Sequence, residues 1–311
     1  MARLTTFAGL IPAVALPMTT DEEPDLPAFR GYLRWLVDQG PIGIAVNADT
    51  GEGPTLTTAE RQAVLEAAID EVGDRIPVIA GLAGPSTKAA ITAARAAAQA
   101  GAAGLLVFPV SAYQGQPLTP EVPYAYHAAV AEATDLPLIL FQLQPALGGV
   151  LFSPETLARL IGIPSVVAIK EASFDAVLFV ALRDLLADLR PIALLTGNDN
   201  FILESFVLGA AGALIGMSAI ATRAQVEMVA AELAGDHATA VERYEALGPL
   251  IRAIFGVPVR NYRARVKEGL VMQGVIPDAT VRRPLLPISP AEREAVRAGL
   301  ARLGLLPAVP A

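Results

Sequence analysis

The sequence predicts an eight-stranded (β/α)8 TIM barrel with a three-helix C-terminal appendage. Short apolar runs alternate eight times with Ala-rich amphipathic segments over about 230 residues. The runs are apolar on both faces, as parallel strands covered by helices on one side and a barrel interior on the other must be. Eight such units match a closed barrel better than an open sheet, whose edge strands are usually shorter and more polar.

The predicted elements follow one another in a regular order. The strands are expected at 9–17, 42–47, 76–81, 103–108, 137–142, 165–170, 192–196 and 212–216. The helices between and after them are expected at about 27–39, 58–73, 86–100, 121–134, 154–162, 174–189, 200–208 and 222–234. Helix caps are expected at Thr57 or Thr58 ahead of Glu60, and at Ser86, Ser153 and Ser173.

The strand signal ends near residue 235, and three helices are predicted beyond it, at about 237–254, 258–273 and 290–303. No low-complexity linker precedes them. We therefore expect a barrel at 1–235 and a helical appendage packed on it at 236–311.

Composition excludes several classes of function. The chain has 311 residues, 53% of them apolar, and a mean hydropathy of +0.49, so it can bury a large core. Its formal charge of −8 and the lack of a basic run argue against nucleic-acid and membrane-surface partners. It has no cysteine and only two histidines, which excludes thiolate metal sites, iron–sulfur clusters and a three-histidine zinc site. We expect no metal.

The uncharged stretches 96–120 and 136–154 are each interrupted by Pro and Gly, which argues against a transmembrane helix. The apolar N-terminal run 7–18 contains Pro12 and Pro17 and has no small-residue cleavage site, so a first buried strand is expected there rather than a signal peptide. A cytoplasmic protein is predicted.

Lys170 is the most informative residue. The chain has only three lysines against twenty arginines, and this one ends the predicted strand 165–170. A lysine at the C-terminal end of a barrel strand points into the mouth where such barrels carry their active sites. Desolvation there lowers the pKa of the amine and leaves its lone pair free to form a Schiff base. The alternative is a lysine that extends to solvent or pairs with a carboxylate.

Three loops contain residues that could bind a ligand or cap a helix. The loop 47–53, with hydroxyls and backbone N–H groups around glycines, suits a substrate carboxylate, or it is a polar turn that caps the next helix. In the loop 197–200, Asp or Asn is expected to cap the following helix. The loop 81–88 lacks the Gly-Lys-Ser/Thr ending of a P-loop, so a nucleotide site is rejected. His127 lies in a helical pattern and is expected to be a packed helix residue.

Several segments, in order and at matching spacing, resemble the dihydrodipicolinate synthase / N-acetylneuraminate lyase family of class I, Schiff-base aldolases. They are Asp49-Thr50-Gly51-Glu52 with Leu56-Thr57, Val78-Ile79-Ala80-Gly81, Ala168-Ile169-Lys170-Glu171-Ala172-Ser173, Leu195-Thr196-Gly197-Asn198-Asp199, Pro258-Val259-Arg260 and 282–287. Several motifs in register are far more specific than any one of them, and they cover nearly the whole chain.

The resemblance implies roles for individual residues. Lys170 would form the imine, and Thr50 and Gly51 would hold the carboxylate of a 2-oxo acid. Phe141, Gly197 and Leu214 would contact the substrate. No metal or organic cofactor would be needed, because the protonated imine withdraws the electrons itself. A homo-oligomer, dimer or tetramer, is also implied.

The sequence departs from the family pattern at the proton-transfer positions. Phe141 stands where the family has a strand-five tyrosine, and Asp49 stands where many members have a hydroxyl residue. The arginine that binds the dicarboxylic substrate has no counterpart in 146–149. After strand four the tyrosine pair becomes Val110-Ser111, with Tyr113 two residues later and expected near a subunit contact.

These departures predict either a replacement acid or a feeble catalyst, since general acid–base help is typically worth ~10²–10⁴-fold. Asp49, Tyr113, Glu52 and a substrate-bound water are the candidates. If Asp49 acts, burial beside Phe141 should raise its pKa; otherwise it caps the helix near Thr58 or binds its own loop.

Two hypotheses follow. The first is a Schiff-base lyase, an aldolase or dehydratase acting on pyruvate or a 2-keto-3-deoxy acid, and not authentic dihydrodipicolinate synthase. The second is a degenerate family member that binds a small oxo acid without turnover. Lys170 favours the first, because a protein without imine chemistry has no reason to place a lysine at that strand end.

Overall fold

The structure, a computed structural model, describes residues 1–110, 113 and 118–307. The strands are β1 (Leu10–Pro12), β2 (Ile44–Val46), β3 (Val78–Leu82), β4 (Gly104–Val107), β5 (Leu138–Leu143), β6 (Val166–Ala172), β7 (Ala193–Thr196) and β8 (Gly212–Ile215). The helices are α1 (Leu26–Val37), α2 (Thr58–Val72), α3 (Thr87–Ala100), α4 (Glu121–Glu132), α5 (Pro154–Ile161), α6 (Ala176–Ala187), α7 (Ile202–Val207), α8 (Thr222–Leu233), α9 (His237–Phe255), α10 (Tyr262–Met272) and α11 (Pro290–Arg302).

The strands form the predicted (β/α)8 barrel. All neighbours pair in parallel, in the order β1-β8-β7-β6-β5-β4-β3-β2, and a parallel bridge between Ala13 and Ala45 joins the first strand to the second. The helices of each β/α unit cover the outside, and α9 packs on α8 while α11 packs on α9. Within the described residues, no helix is both long and apolar enough to cross a membrane. The division at residue 235 stays a prediction.

Two apolar layers hold the barrel together. The inner layer fills the barrel with one face of every strand, and it includes Ile11, Ile79, Ile139 and Leu195. The outer layer lies between the strands and the helices. Strands buried on both faces explain why the sequence runs are continuously apolar rather than alternating.

The bounds of β1, β6 and α6 differ from the predicted ones. Of the predicted strand 9–17, only Leu10–Pro12 forms a strand, β1. The segment after it is buried and contains Pro17, which cannot donate a backbone hydrogen bond to a neighbouring strand. Strand β6 continues to Ala172, so Lys170 lies within the strand and does not end it. The expected helix cap Ser173 is wrong, because Asp175 accepts the N–H groups of Val177 and Leu178 at the start of α6.

The other predicted caps are confirmed. Thr57 and Glu60 form a capping box at α2, Ser86 caps α3 and Ser153 caps α5. His127 is a buried residue of α4, as expected.

Candidate active site

Lys170 points into the barrel at its C-terminal end. In the sheet register it lies beside Phe141 on β5 and Leu195 on β7, and both of those side chains belong to the inner layer. Partner residues on adjacent parallel strands point the same way, so the lysine follows them inward. Its Nζ lies 4.4 Å from the centre of the Phe141 ring.

Burial sets the protonation of this amine. Lys170 is 5% exposed, and burial lowers its pKa to about 8, although the charges of Asp199 and Asp49 oppose the shift. Within the described residues no acceptor takes a hydrogen bond from its Nζ. A substantial fraction of the amine is therefore neutral near physiological pH, which is the form that attacks a carbonyl.

A narrow cleft surrounds this amine and opens to solvent. It is lined by residues near the C-terminal ends of the strands and in the loops after them, and by two aromatic residues of the C-terminal helices. The lining residues are Asp49, Thr50, Phe141, Leu143, Leu147, Lys170, Ala172, Phe174, Gly197, Asp199, Gly216, Phe255 and Tyr262. Within the described part of the chain, no cluster of three or more His, Asp or Glu side chains could hold a metal ion.

The loop after β2 brings Asp49 and Thr50 into the cleft. The side chain of Asp49 neither caps α2 nor accepts a backbone N–H group of its own loop. Instead its Oδ2 accepts the hydroxyl of Tyr262 at 2.7 Å, and Arg263 donates to both its Oδ1 and its carbonyl oxygen. The Thr50 hydroxyl oxygen lies 3.4 Å from the same tyrosine hydroxyl. The loop is thus tied to the first turn of α10.

Glycines keep the cleft open around these groups. A Cβ added at Gly197 would lie 2.7 Å from Cε of Lys170, and one added at Gly216 would lie 2.9 Å from Oγ1 of Thr50. A Cβ at Gly51 would lie 2.8 Å from the carbonyl oxygen of Val14, so this buried glycine lets the loop pack against the segment that follows β1. Gly197 therefore borders the amine, whereas Gly51 does not line the cleft and lets the loop pack closely on its neighbours.

The loop after β7 corrects a prediction. Neither Asp199 nor Asn198 caps α7, whose N-cap is Phe201 without a side-chain bond. Asp199 accepts the backbone N–H groups of Met217, at 2.7 Å, and of Gly216. Burial raises its pKa to about 6, against these bonds and the nearby Lys170.

Asn198 holds the same loop to β6. Its side-chain amide donates to the Glu171 carboxylate at 2.6 Å and accepts the N–H of Phe174 at 2.7 Å. Burial raises the pKa of Glu171, whose carboxylate is also bound by the N–H of Ser173. These bonds join the loop after β7 to the end of β6 and to the loop that follows it.

The remaining predicted residues lie elsewhere. Leu214 belongs to the inner layer of the barrel and does not line the cleft. Tyr113 is half-buried and packs on the outer layer; it does not line the cleft of this chain. Glu52 is buried in an ion pair with Lys267, away from the lining. Ser111 lies outside the described residues.

Sequence reasoning missed Tyr262, Arg263 and Phe255. Tyr262 and Arg263 contact Asp49 across more than 210 residues of chain. The helical pattern at 258–273 gives no sign of which side chain reaches the barrel mouth. The best available signal was one tyrosine among three arginines at 260–265 in an apolar chain.

A buried amine in a cleft at the mouth of a (β/α)8 barrel, beside hydroxyl and carboxyl groups, is typical of a lyase of the class I aldolase type. The chain belongs to the dihydrodipicolinate synthetase family, whose family model matches residues 6–303. Members of this family are lyases, and so is this chain.

Similar proteins extend over the whole chain. The 4-hydroxy-tetrahydrodipicolinate synthase of Kineococcus radiotolerans is 37% identical over 98% of this chain and 96% of its own. The crystal structure of dihydrodipicolinate synthase from Acinetobacter baumannii, complexed with pyruvate, is 33% identical, has a TM-score of 0.86, and matches 97% of this chain and 100% of that chain. A prophage protein of the same family from Escherichia coli, also in complex with pyruvate, is 25% identical with a TM-score of 0.87, and the match covers 96% of this chain and 99% of that one.

Proposed function

We propose that this chain is a Schiff-base lyase in which Lys170 forms an imine with pyruvate or a 2-keto-3-deoxy acid. The observation that carries the proposal is the buried amine, whose pKa is lowered to about 8 in a cleft at the mouth of the barrel. Two family members of known structure are complexed with pyruvate, which supports the choice of a 2-oxo acid.

The chemistry needs only the chain and the substrate. The neutral Nζ of Lys170 attacks the C2 carbonyl, a C–N bond forms, and one proton passes from the nitrogen to the carbonyl oxygen. A second proton, taken from solvent, lets that hydroxyl leave as water, and the nitrogen lone pair forms the C=N bond of a protonated imine. The imine withdraws electrons from C3, so that a C3–H bond or the C3–C4 bond can break, and loss of the C3 proton in turn allows the C4–O bond to break.

We place the substrate carboxylate at Thr50 and Gly51. Asp49, the residue before them, would repel a carboxylate if its charge were uncompensated. Arg263 donates two hydrogen bonds to Asp49, and this ion pair offsets the repulsion.

We further propose that the reaction differs from the synthase reaction for which the curated relatives are named. Those names favour the synthase. Two features of this chain favour an aldolase or a dehydratase instead: Phe141 has no hydroxyl, and 146–149 contains no arginine for a second carboxylate. Product analysis decides between them.

Borohydride trapping tests the proposal. The protein is incubated with pyruvate and with a panel of 2-keto-3-deoxy acids, reduced, and analysed by intact mass and peptide mapping. One reduced adduct at Lys170 is expected. Lys170→Arg should abolish it, because a guanidinium stays protonated, and Lys88→Arg, at an exposed lysine of α3, should leave it unchanged. No adduct with any 2-oxo acid would overturn the imine.

Turnover assays then separate the alternatives. Formation of 4-hydroxy-tetrahydrodipicolinate would restore the synthase. Aldol cleavage or dehydration of a 2-keto-3-deoxy acid would support the proposed reaction. An adduct at Lys170 without turnover of any substrate would support the second hypothesis, a protein that binds an oxo acid without converting it.

We also propose that the chain is a homo-oligomer. Val177 is 77% exposed and Val207 is 63% exposed, although both are large and apolar. The chain also has only 17% charged residues, so it has apolar surface that association would cover. Light scattering at micromolar concentration should give a mass of two or four chains of 32.3 kDa, and a single-chain mass would contradict the proposal.

A further inference from the structure

The cleft contains the phenol of Tyr262, which the sequence did not predict there. Strand β5 contributes Phe141, which cannot move a proton, but α10 brings the hydroxyl of Tyr262 to the same cleft. We propose that Tyr262 and Asp49 act together as the proton relay of this site. This inference rests on the proposed imine at Lys170.

Packing fixes the phenol in place. Tyr262 is 3% exposed, and its ring stacks on Phe255 with the centroids 4.9 Å apart and an interplanar angle of 20°. On another side, a Cβ at Gly216 would lie 3.3 Å from the ring. A ring held in this way presents its hydroxyl in one direction, which is what a proton relay requires.

Asp49 is held as the partner of this hydroxyl. Arg263 occupies its Oδ1 and its carbonyl oxygen, which leaves Oδ2 to accept the Tyr262 hydroxyl at 2.7 Å. Arg263 is 13% exposed at its side chain and Asp49 is 9% exposed, so the pair is shielded from water. Arg263 is thus a positioning residue, and it acts through Asp49.

The electrostatics decide how the proton moves. Burial raises the pKa of Tyr262 well above its ordinary value, and the Asp49 carboxylate raises it further. A free tyrosinate is therefore unfavourable in this cleft. The phenol can still pass a proton if it accepts one as it gives up its own, so Asp49 must hold the proton that is moved.

The resulting step balances in atoms and charge. The C3 proton of the protonated imine goes to the Tyr262 oxygen while the Tyr262 hydrogen goes to Oδ2 of Asp49. The electrons of the broken C–H bond form the C2–C3 double bond, and the C2–N π electrons return to nitrogen. The products are a neutral enamine, a neutral phenol and a neutral Asp49, and the reverse step returns the proton.

Deuterium exchange at C3 of pyruvate tests the relay directly. Wild-type protein in D2O should exchange these protons, as followed by proton NMR, because the proton moved to the relay is replaced by deuterium from the solvent before the reverse step. Tyr262→Phe should lower the exchange rate by ~10²-fold or more, while the amount of borohydride-trapped adduct at Lys170 at equilibrium stays the same. Tyr32→Phe is the matched control, since Tyr32 is a fully buried tyrosine whose hydroxyl donates to the carbonyl oxygen of Ala219 at 2.9 Å.

Two further variants separate proton transfer from structural support. Asp49→Asn should lower the exchange rate about as much as Tyr262→Phe, and the double variant should lose little more, because the two residues act as one unit. Adding Phe141→Tyr to Tyr262→Phe returns a phenol to the cleft from β5 and should recover at least ~10-fold of the exchange rate.

The outcomes are distinct. No adduct in the wild-type protein would overturn the imine proposal itself. An adduct with normal exchange in Tyr262→Phe would overturn the relay alone, and if Asp199→Asn then abolished exchange, Asp199 would be the base. Loss of both the adduct and the exchange in Tyr262→Phe, without recovery by Phe141→Tyr, would also overturn the relay, because Tyr262 would then support the fold or imine formation.

Discussion

Two of the three lysines of this chain are buried, and their surroundings differ completely. Lys267, on α10, is fully buried and donates to the Glu52 carboxylate at 2.5 Å and to the carbonyl oxygen of Thr280 at 2.7 Å. Lys170 is almost as buried, but its Nζ lies against the Phe141 ring and no acceptor among the described residues contacts it. Burial lowers the pKa of both amines.

The difference shows how one residue type serves structure in one place and chemistry in another. A buried ammonium group that donates to a carboxylate and a carbonyl oxygen is compensated. Removing the ammonium leaves the carboxylate buried without its counter-charge. A buried amine without such partners is held at a cost in stability, which is characteristic of functional sites. Lys267 joins α10 to the loop after β2, while Lys170 is free to react.

The largest expected effect on stability comes from the paired lysine. Lys267→Met should lower the free energy of unfolding by about 3–5 kcal/mol, because Glu52 remains buried with only the N–H of Arg282 as a partner. Chemical denaturation measures the change. The double variant Lys267→Met, Glu52→Gln should recover part of it by removing the stranded charge. If the single variant were as stable as wild type, the pair would not hold the structure in this way.

The opposite result is expected for Lys170→Met, which abolishes imine formation but should raise the free energy of unfolding by about 1–3 kcal/mol near neutral pH. The gain should shrink as the pH rises from about 8 to 10.5. The wild-type protein becomes more stable over that range, because its unfolded state, with the ordinary pKa of 10.5, binds more protons than its folded state. A variant less stable than wild type at pH 7 would contradict this interpretation of Lys170.

Much of this architecture could be predicted from the sequence, because the barrel depends on local patterns. Strands buried on both faces require continuous apolar runs, and capping residues such as Thr57 and Ser153 act within one helical turn. The strand β6 was expected to end at Lys170 but runs to Ala172. Lys170 and Glu171 are polar residues within an apolar run, and they give no local indication of the residue at which the hydrogen bonding between strands ends.

The candidate site was predictable only in part, for the same reason. Lys170, Thr50 and Gly197 lie in motifs of a few residues, and the cleft brings them together. Asp199 resembles a helix cap in sequence, yet it faces the cleft because the backbone N–H groups after β8 bind it. Tyr262 meets Asp49 through tertiary packing alone, which no spacing along the chain encodes.

The pH dependence of imine formation is the finest test of the difference between the two lysines. Only the neutral amine attacks a carbonyl, and burial places the pKa of Lys170 at about 8. The rate of imine formation at low pyruvate concentration should therefore rise about tenfold per pH unit below this value and level off above it. Samples quenched at intervals into excess borohydride give the rate at each pH.

Asp199→Asn should shift this profile in a known direction. The negative charge of Asp199 favours the ammonium form of Lys170 and opposes the effect of burial, so removing it should lower the pKa of the amine further and start the plateau at a lower pH. Asp236→Asn, which changes an exposed carboxylate that caps α9, should leave the profile in place. A shift to higher pH in Asp199→Asn would mean that the carboxylate acts on the amine through packing rather than charge.

A wild-type rate that still rises tenfold per unit above pH 9 would mean that Lys170 keeps the ordinary pKa of an exposed lysine, and the contrast with Lys267 would then have another cause.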